Sequence, residues 1–276
     1  MSKRILTALV AVPLILIIIL CFPHMDHLAF LILLSAVCFL ASLEMVGILN
    51  HEGKKPAAVS LFCFLLPIAR YIENRYFPGT SLTLFSFIIL SSISLAIEVF
   101  SSSNDDFRKT IDINSRSILA LVYPGLFSVF IEDICFMPEA SAYLILFFVF
   151  VFGSDSFALF FGLAFGKNNK GFVKVSPNKS IAGFIGGIMV PSLLGLCARL
   201  LFPGIFAFSY AEGFILGFAA SAAAALGDLV ESAFKRSAAI KDSGVLIPGR
   251  GGVLDSIDSL LLAAPVFVFL AKVFLH

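Results

Sequence analysis

Hydrophobic runs of bilayer length, separated by short polar connections, recur along the whole chain. Crossing a membrane takes roughly 20 mostly apolar residues, because backbone N–H and C=O groups in hydrocarbon must be paired within the segment itself. Runs of this kind predict spans at 5–22, 28–49, 57–72, 80–100, 117–136, 141–165, 181–202, 211–230 and 256–275. The third is the least regular, since Pro67 and Arg70 interrupt it. Lys3 and Arg4 imitate the start of a secretory leader, but the run from Ile5 to Phe22 is long for one and no small-x-small cleavage site follows, so it reads as a first span. The expected fold is all-α: a polytopic integral membrane helix bundle of about nine transmembrane helices, without an internal repeat.

Composition removes the alternatives. Hydrophobic residues make up 59% of the 276 positions and charged residues 13%, too little polar surface for a soluble domain. With 32 Phe and no Trp, interfacial anchoring falls to Tyr, Phe and basic residues. The net charge of +1 discriminates nothing, but the placement of charge does. With the N-terminus in the cytoplasm, nine spans put every Lys and Arg on the cytoplasmic side except Arg70, Arg75, Arg199 and Lys272, as the positive-inside bias requires. Cys21, Cys38, Cys63, Cys135 and Cys197 lie singly and read as small buried hydrophobes. Residues 1–116 form an N-terminal region of about four spans and the polar stretch Ser101 to Arg116; residues 117–276 carry the chemistry. Glu44 and Glu98 read as packing or interfacial residues.

Two cytoplasmic connections stand out, 166–180 and 231–254. Both mix Lys or Arg with Gly, and glycine lets backbone N–H groups approach an anion closely. Lys167, Lys170 and Lys174 also fit an ordinary positive-inside loop. Asp155 lies inside the sixth span, where an acid is expensive unless it faces a polar cavity or a partner. Asp228 is followed by Glu231, Ser232 and Lys235 at i+3, i+4 and i+7, all on one helix face. Asp255 and Asp258 open the ninth span on a shared face. Carboxylates from two helices beside basic loops suit a Mg²⁺ ion that also engages phosphate oxygens, with Asp228 and Asp255 as ligands and room for a second cation. Pairing with nearby Lys and Arg, or helix capping by Asp255, is the simpler alternative. Gly162/Gly166 and Gly183/Gly187 have the spacing of close helix packing.

These residues resemble a known signature. Ser232-Ala-Phe-Lys235-Arg236, then Lys241-Asp242-Ser-Gly244, then Ile247-Pro-Gly-Arg250-Gly251-Gly252-Val-Leu-Asp255-Ser256-Ile-Asp258 is similar to the C-terminal signature of phosphatidate cytidylyltransferases (CDP-diacylglycerol synthases). Asp155 with Phe157-Ala158, Phe165-Gly166-Lys167 and Ser176-Pro-Asn-Lys179-Ser180 resembles the upstream motif of that family. The matched segments cover roughly the last 125 residues, with Arg250, Ser256 and Ala182 standing where the family usually has His, Arg and Glu. The resemblance implies transfer of CMP from CTP to phosphatidate at a multi-pass site in the cell membrane, facing the cytoplasm. It implies catalytic roles for Asp228, Asp255, Lys235 and Lys241, and substrate contacts from Ser176, Lys179, Arg236, Arg250, Gly251, Gly252 and Asp155. CTP, phosphatidate and the bilayer are the expected partners; nothing points to nucleic acid, and a homodimer is left open. Three other readings stay in view: a cytidylyltransferase for another lipid phosphate, a silent relative, and a transporter coupled through Asp155 and Asp228.

Overall fold

The computed structural model describes residues 2–49, 57–101 and 110–275. Lys54, Lys55, Arg108, Lys109 and most of the polar stretch Ser101 to Arg116 lie outside them, as does the Glu98 side chain. Among the described residues the chain is helical without named strands: α1 (Ser2–Cys21), α2 (His24–Leu49), α3 (Ala57–Tyr76), α4 (Leu82–Ser101), α5 (Thr110–Ala120), a π-helical turn (Leu121–Leu126), α6 (Phe127–Ile134), α7 (Ala140–Phe165), α8 (Ile181–Leu201), α9 (Tyr210–Ser237) and α10 (Leu254–Phe274). The protein is thus an all-α multi-pass membrane bundle. Among the described residues, six segments are long and apolar enough to cross a membrane: α2, Thr110–Ile134, α7, α8, α9 and α10. Shorter apolar stretches occur at Leu9–Cys21 and Leu82–Ile97.

Helix ends differ from expectation where local chemistry intervenes. Met25, Asp26 and His27 have φ of 54°, 52° and 61°, a left-handed turn after which regular α2 begins, close to the expected residue 28. The segment expected at 117–136 starts earlier, at Thr110, and is broken by the π turn around Pro124. Proline lacks the N–H that an α-helical bond would use there. Gly125 fits that turn against α3, because an added Cβ would stand 3.1 Å from Cys63 Sγ and Leu66. Cys38, Cys63 and Cys135 are buried as expected, but Cys21 is exposed and Cys197 half-buried. Cys21 ends α1, a helix that turns Leu9, Val10 and Leu20 outward.

The chain divides into two compact units. The first comprises Met1–Phe136 with Asp242–Ser256. At one end of it Arg70 donates from Nε and Nη2 to Asp133 at 2.5 and 3.0 Å, and from Nη1 to Glu73 at 3.0 Å. Asn74 adds a bond to Asp133 at 3.0 Å, and Glu73 accepts from the Thr83 N–H at 2.7 Å. The residue that made the third span irregular therefore sits in a bidentate clamp.

The second unit comprises Met137–Lys241 with Ile257–His276. Here α7, α8 and α9 pack through glycines. A Cβ on Gly183 would stand 2.7 Å from the Ala158 carbonyl, one on Gly187 2.8 Å from that of Ser154, and one on Gly217 2.5 Å from that of Pro191. Such contacts bring helix backbones together as small-residue interfaces do in membranes. Ser209 opens α9 with a capping box, in which its hydroxyl accepts from Glu212 N–H and Glu212 accepts from Ser209 N–H, satisfying two orphan donors.

Candidate functional site

In the second unit, the connection 166–180 is a folded loop. Gly171 N–H donates to Lys179 O at 3.2 Å, and Ile181 N–H to Asn169 O at 3.1 Å. Gly171 has φ +80°, a conformation that favours glycine. Within the loop Ser176 and Lys179 donate their N–H groups to Val173 and Ser176 carbonyls. Ser180 caps α8 by accepting from Gly183 N–H at 3.1 Å. Phe172 meets Phe184 edge-on at 5.0 Å, and the Lys179 ammonium stands 5.6 Å from the Phe184 ring centre. That ammonium is aimed at Asp228, with Nζ to Oδ2 at 2.5 Å. Two residues picked from sequence 49 positions apart are thus brought together by the loop's own hydrogen bonds.

The expected face of α9 is present. Ser232 Oγ donates to Asp228 Oδ1 at 3.5 Å, and Lys235 forms an ion pair with the fully buried Glu231. Arg236 donates to the Ile240 carbonyl at 3.2 Å, and Ile240 N–H donates to the Lys235 carbonyl at 3.0 Å, one of the carbonyls left without an intrahelical partner at the end of α9. Gly227 lets α9 approach α10, since a Cβ there would stand 2.5 Å from the Asp258 carbonyl. Buried Asp258 consequently has Glu231, Asp228 and half-buried Asp155 as electrostatic neighbours. Four acids contributed by α7, α9 and α10 share one region of this unit, balanced there by Lys179 and Lys235. Lys241 is exposed at the end of the connection that follows α9.

In the first unit, Asp242–Ser256 makes a tight turn. Ile247 N–H donates to Gly251 O at 2.8 Å, and Gly251 N–H returns to Ile247 O at 3.0 Å. Gly249 and Gly251 have φ of +79° and +110°, the second of which only glycine adopts readily. The turn delivers backbone donors onto two carboxylates. Asp255 Oδ2 accepts from Gly252 N–H at 2.7 Å, Ser243 N–H at 2.9 Å and Ser243 Oγ at 2.9 Å. Glu44 accepts from Val253 N–H at 3.0 Å and Leu254 N–H at 2.8 Å, and its Oε2 lies 3.0 Å from Ser243 Oγ.

Glu44, read from sequence as a packing or interfacial residue, also accepts hydrogen bonds from the 243–254 turn, which sequence reasoning missed. The signal for it was the one used for Asp155, an acid in an apolar run. Its partners, however, lie some 200 positions further along the chain. The glycines of this loop do let N–H groups close on anions, and the anions met here are the chain's own. A Cβ on Gly244 or Gly252 would overlap the Glu44 carboxylate, and one on Gly251 would stand 2.5 Å from Asp255 Oδ2. Arg250 is half-buried beside them, and Ser256 Oγ donates back to the Gly252 carbonyl at 3.3 Å.

The donor set is hard oxygen, which suits Mg²⁺ over softer ions. Among the described residues no three His, Cys, Asp or Glu side chains converge as a metal cage. Mg²⁺ characteristically takes one or two carboxylates and completes its shell with water and substrate phosphates. The residues present therefore fit the ion.

A multi-pass bundle that sets carboxylates, lysines and glycine turns at its helix ends defines a membrane protein equipped to handle charged phosphate groups beside a bilayer. Residues 2–274 match the family model described as the cytidylyltransferase family, and the chain belongs to that family. It is 32% identical to the phosphatidate cytidylyltransferase of Bacillus subtilis over 99% of this chain and 98% of that protein. It is also 32% identical to the one from Thermotoga maritima, over 99% and 97%. The Haemophilus influenzae protein of the same name is 42% identical over 52% of this chain and 51% of its own length.

Proposed function

We infer that this protein transfers CMP from CTP to phosphatidate, giving CDP-diacylglycerol and pyrophosphate for phospholipid synthesis. The observation that carries the reading is that similarity to phosphatidate cytidylyltransferases runs through the whole chain and so includes both polar loops. A phosphatidate oxygen attacks the α-phosphorus of CTP, a new P–O bond forms, and the bond to the bridging oxygen of the β-phosphate breaks. A phosphate monoester carries about −1.5 to −2 at pH 7, so its oxygen is nucleophilic without a strong general base. The obstacle is repulsion between two polyanions, which positioned cations lower.

The residues divide that work. Asp228 and Asp255 are the proposed Mg²⁺ ligands; bound there, the ion supplies positive charge to the phosphate oxygens. Lys235 and Lys241 bring ammonium charge to the reacting phosphates, while Arg250 and Arg236 offer guanidinium forks that hold two oxygens at once. Ser176 and Lys179 receive the nucleotide from the 166–180 loop, with Asp155 behind them on α7. Gly251 and Gly252 let the 242–255 turn close on Asp255 and Glu44 and are the proposed backbone neighbours of a substrate phosphate. The positive-inside pattern supports a plasma-membrane protein with both loops in the cytoplasm, where CTP arrives from water and phosphatidate from the leaflet.

The purified protein in detergent, given α-³²P-labelled CTP, phosphatidate and Mg²⁺, should yield solvent-extractable label and pyrophosphate in equal amounts. Label transferred only to a different lipid phosphate, such as an isoprenoid one, would replace phosphatidate as acceptor, and no transfer from CTP to any lipid would end the reading.

A further inference from the structure

We propose that Glu44 is a positioning residue for this reaction, one that holds the 243–254 turn so that Asp255 is presented in a single orientation. The inference rests on the assignment of Asp255 to the metal, and three observations inside the first unit carry it.

The first is the number and kind of donors. The N–H groups of Val253 and Leu254, at the start of α10, have no carbonyl a turn earlier within the helix to bond to. Both point into the Glu44 carboxylate, at 3.0 and 2.8 Å. A negative charge at a helix N-terminus also meets the favourable end of the helix dipole. Glu44 therefore does for α10 from a distant helix what a capping side chain does locally.

The second is the bridge. Ser243 Oγ lies 3.0 Å from Glu44 Oε2 and 2.9 Å from Asp255 Oδ2. A hydroxyl has one proton, so it donates to one carboxylate at a time while accepting from Asp255 N–H at 3.3 Å. Each carboxylate senses the other through that proton. With Gly252 N–H and Ser243 N–H also on Oδ2, three donors fix one oxygen of Asp255 and hence the plane of its carboxyl group.

The third is the fit. Gly244 and Gly252 close on Glu44 from two sides, and neither position has space for a methyl group. An incidental surface contact would not demand the absence of a side chain at both places.

Glu44→Gln keeps the shape but replaces one acceptor oxygen with an NH₂ that faces a donor. Hydrogen bonds to charged groups are worth enough that losing one in the variant should raise amide exchange across 243–256 about tenfold or more. Exchange in α8 and α9 should stay at the wild-type rate. The Mg²⁺ concentration for half-maximal activity should rise about tenfold by the same measure. Ser243→Ala should give a smaller shift of the same kind, and the double variant less than the sum of the two, because they share one bridge. Gly244→Ala, which presses on the same carboxylate from the other side, should reproduce the local exchange pattern.

Wild-type exchange across 243–256 in Glu44→Gln would overturn the proposal. So would faster exchange spread evenly over the whole protein, since that marks a merely structural residue. Failure of the metal assignment looks different: Asp255→Asn would leave the Mg²⁺ response unchanged, while Glu44→Gln would still loosen the turn.

Discussion

The two polar loops solve the problem of holding charge by opposite means. In 242–255 the contacts are backbone N–H groups meeting carboxylates, with glycines chosen so that nothing stands between them. In 166–180 the backbone bonds to other backbone groups, as between Gly171 and Lys179, and the charge is delivered by the long side chain of Lys179. Its pair with Asp228 is 24% and 34% exposed at the two side chains, so water competes for it and the contact contributes little net stability. A rigid anchor and an exchangeable arm are therefore built from two loops of similar length, one rich in Gly and the other in Lys. The difference suggests a division of labour: the turn at Asp255 sets geometry that must exist before substrate binds, whereas Lys179 can leave Asp228 for an incoming phosphate.

The largest expected effect tests the anchor. On the proposed assignment of both residues to the metal, Asp255→Asn and Asp228→Asn should each lower kcat by on the order of 10³-fold with the helices still folded. A fall confined to KM at either position would erase the distinction between geometry and capture. Next comes Arg250→Ala, expected to cut kcat/KM by about 10²-fold, the order found for one preorganised charge contact. Arg250→His combined with Ser256→Arg restores the arrangement usual in the family and should recover most of that activity. Full activity in Arg250→Ala would make its guanidinium a lipid-headgroup contact. The smallest effect belongs to the arm. Lys179→Ala should raise KM for CTP about tenfold with kcat little changed, and the difference from wild type should shrink as salt is added. An equal loss in kcat would mean that Lys179 is as fixed as Asp255.

Much of this was legible from periodicity and charge. Apolar runs of bilayer length located the helices, because hydrocarbon admits little else. The i, i+3, i+4 and i+7 spacing from Asp228 to Lys235 placed four polar groups on one face, and they are found paired in that way. What escaped was of two kinds. The π turn at Leu121–Leu126 depends on how Gly125 meets α3, a tertiary contact with no local signature. Glu44 depends on donors from a segment about 200 residues away, and a lone acid in an apolar run does not name its partners. The sense of the glycines was half visible: their freedom to admit an anion could be read, but not that a carboxylate of the same chain already uses it.

The Arg70–Asp133 clamp has a consequence for how the protein enters its membrane. An Arg within a span is unfavourable, by up to roughly 2.5 to 3.5 kcal/mol at its centre, and Arg70, in the last third of α3, is joined on that helix by Glu73 and Arg75. Asp133, the bidentate partner that offsets this, lies 63 positions further along the chain, beyond α4 and α5. When α3 leaves the ribosome, Glu73 already stands beside Arg70 on the same helix, but Asp133 has not yet been synthesised. The bidentate half of the clamp closes only once α6 has arrived, so the order of synthesis of the first unit differs from its order of settling.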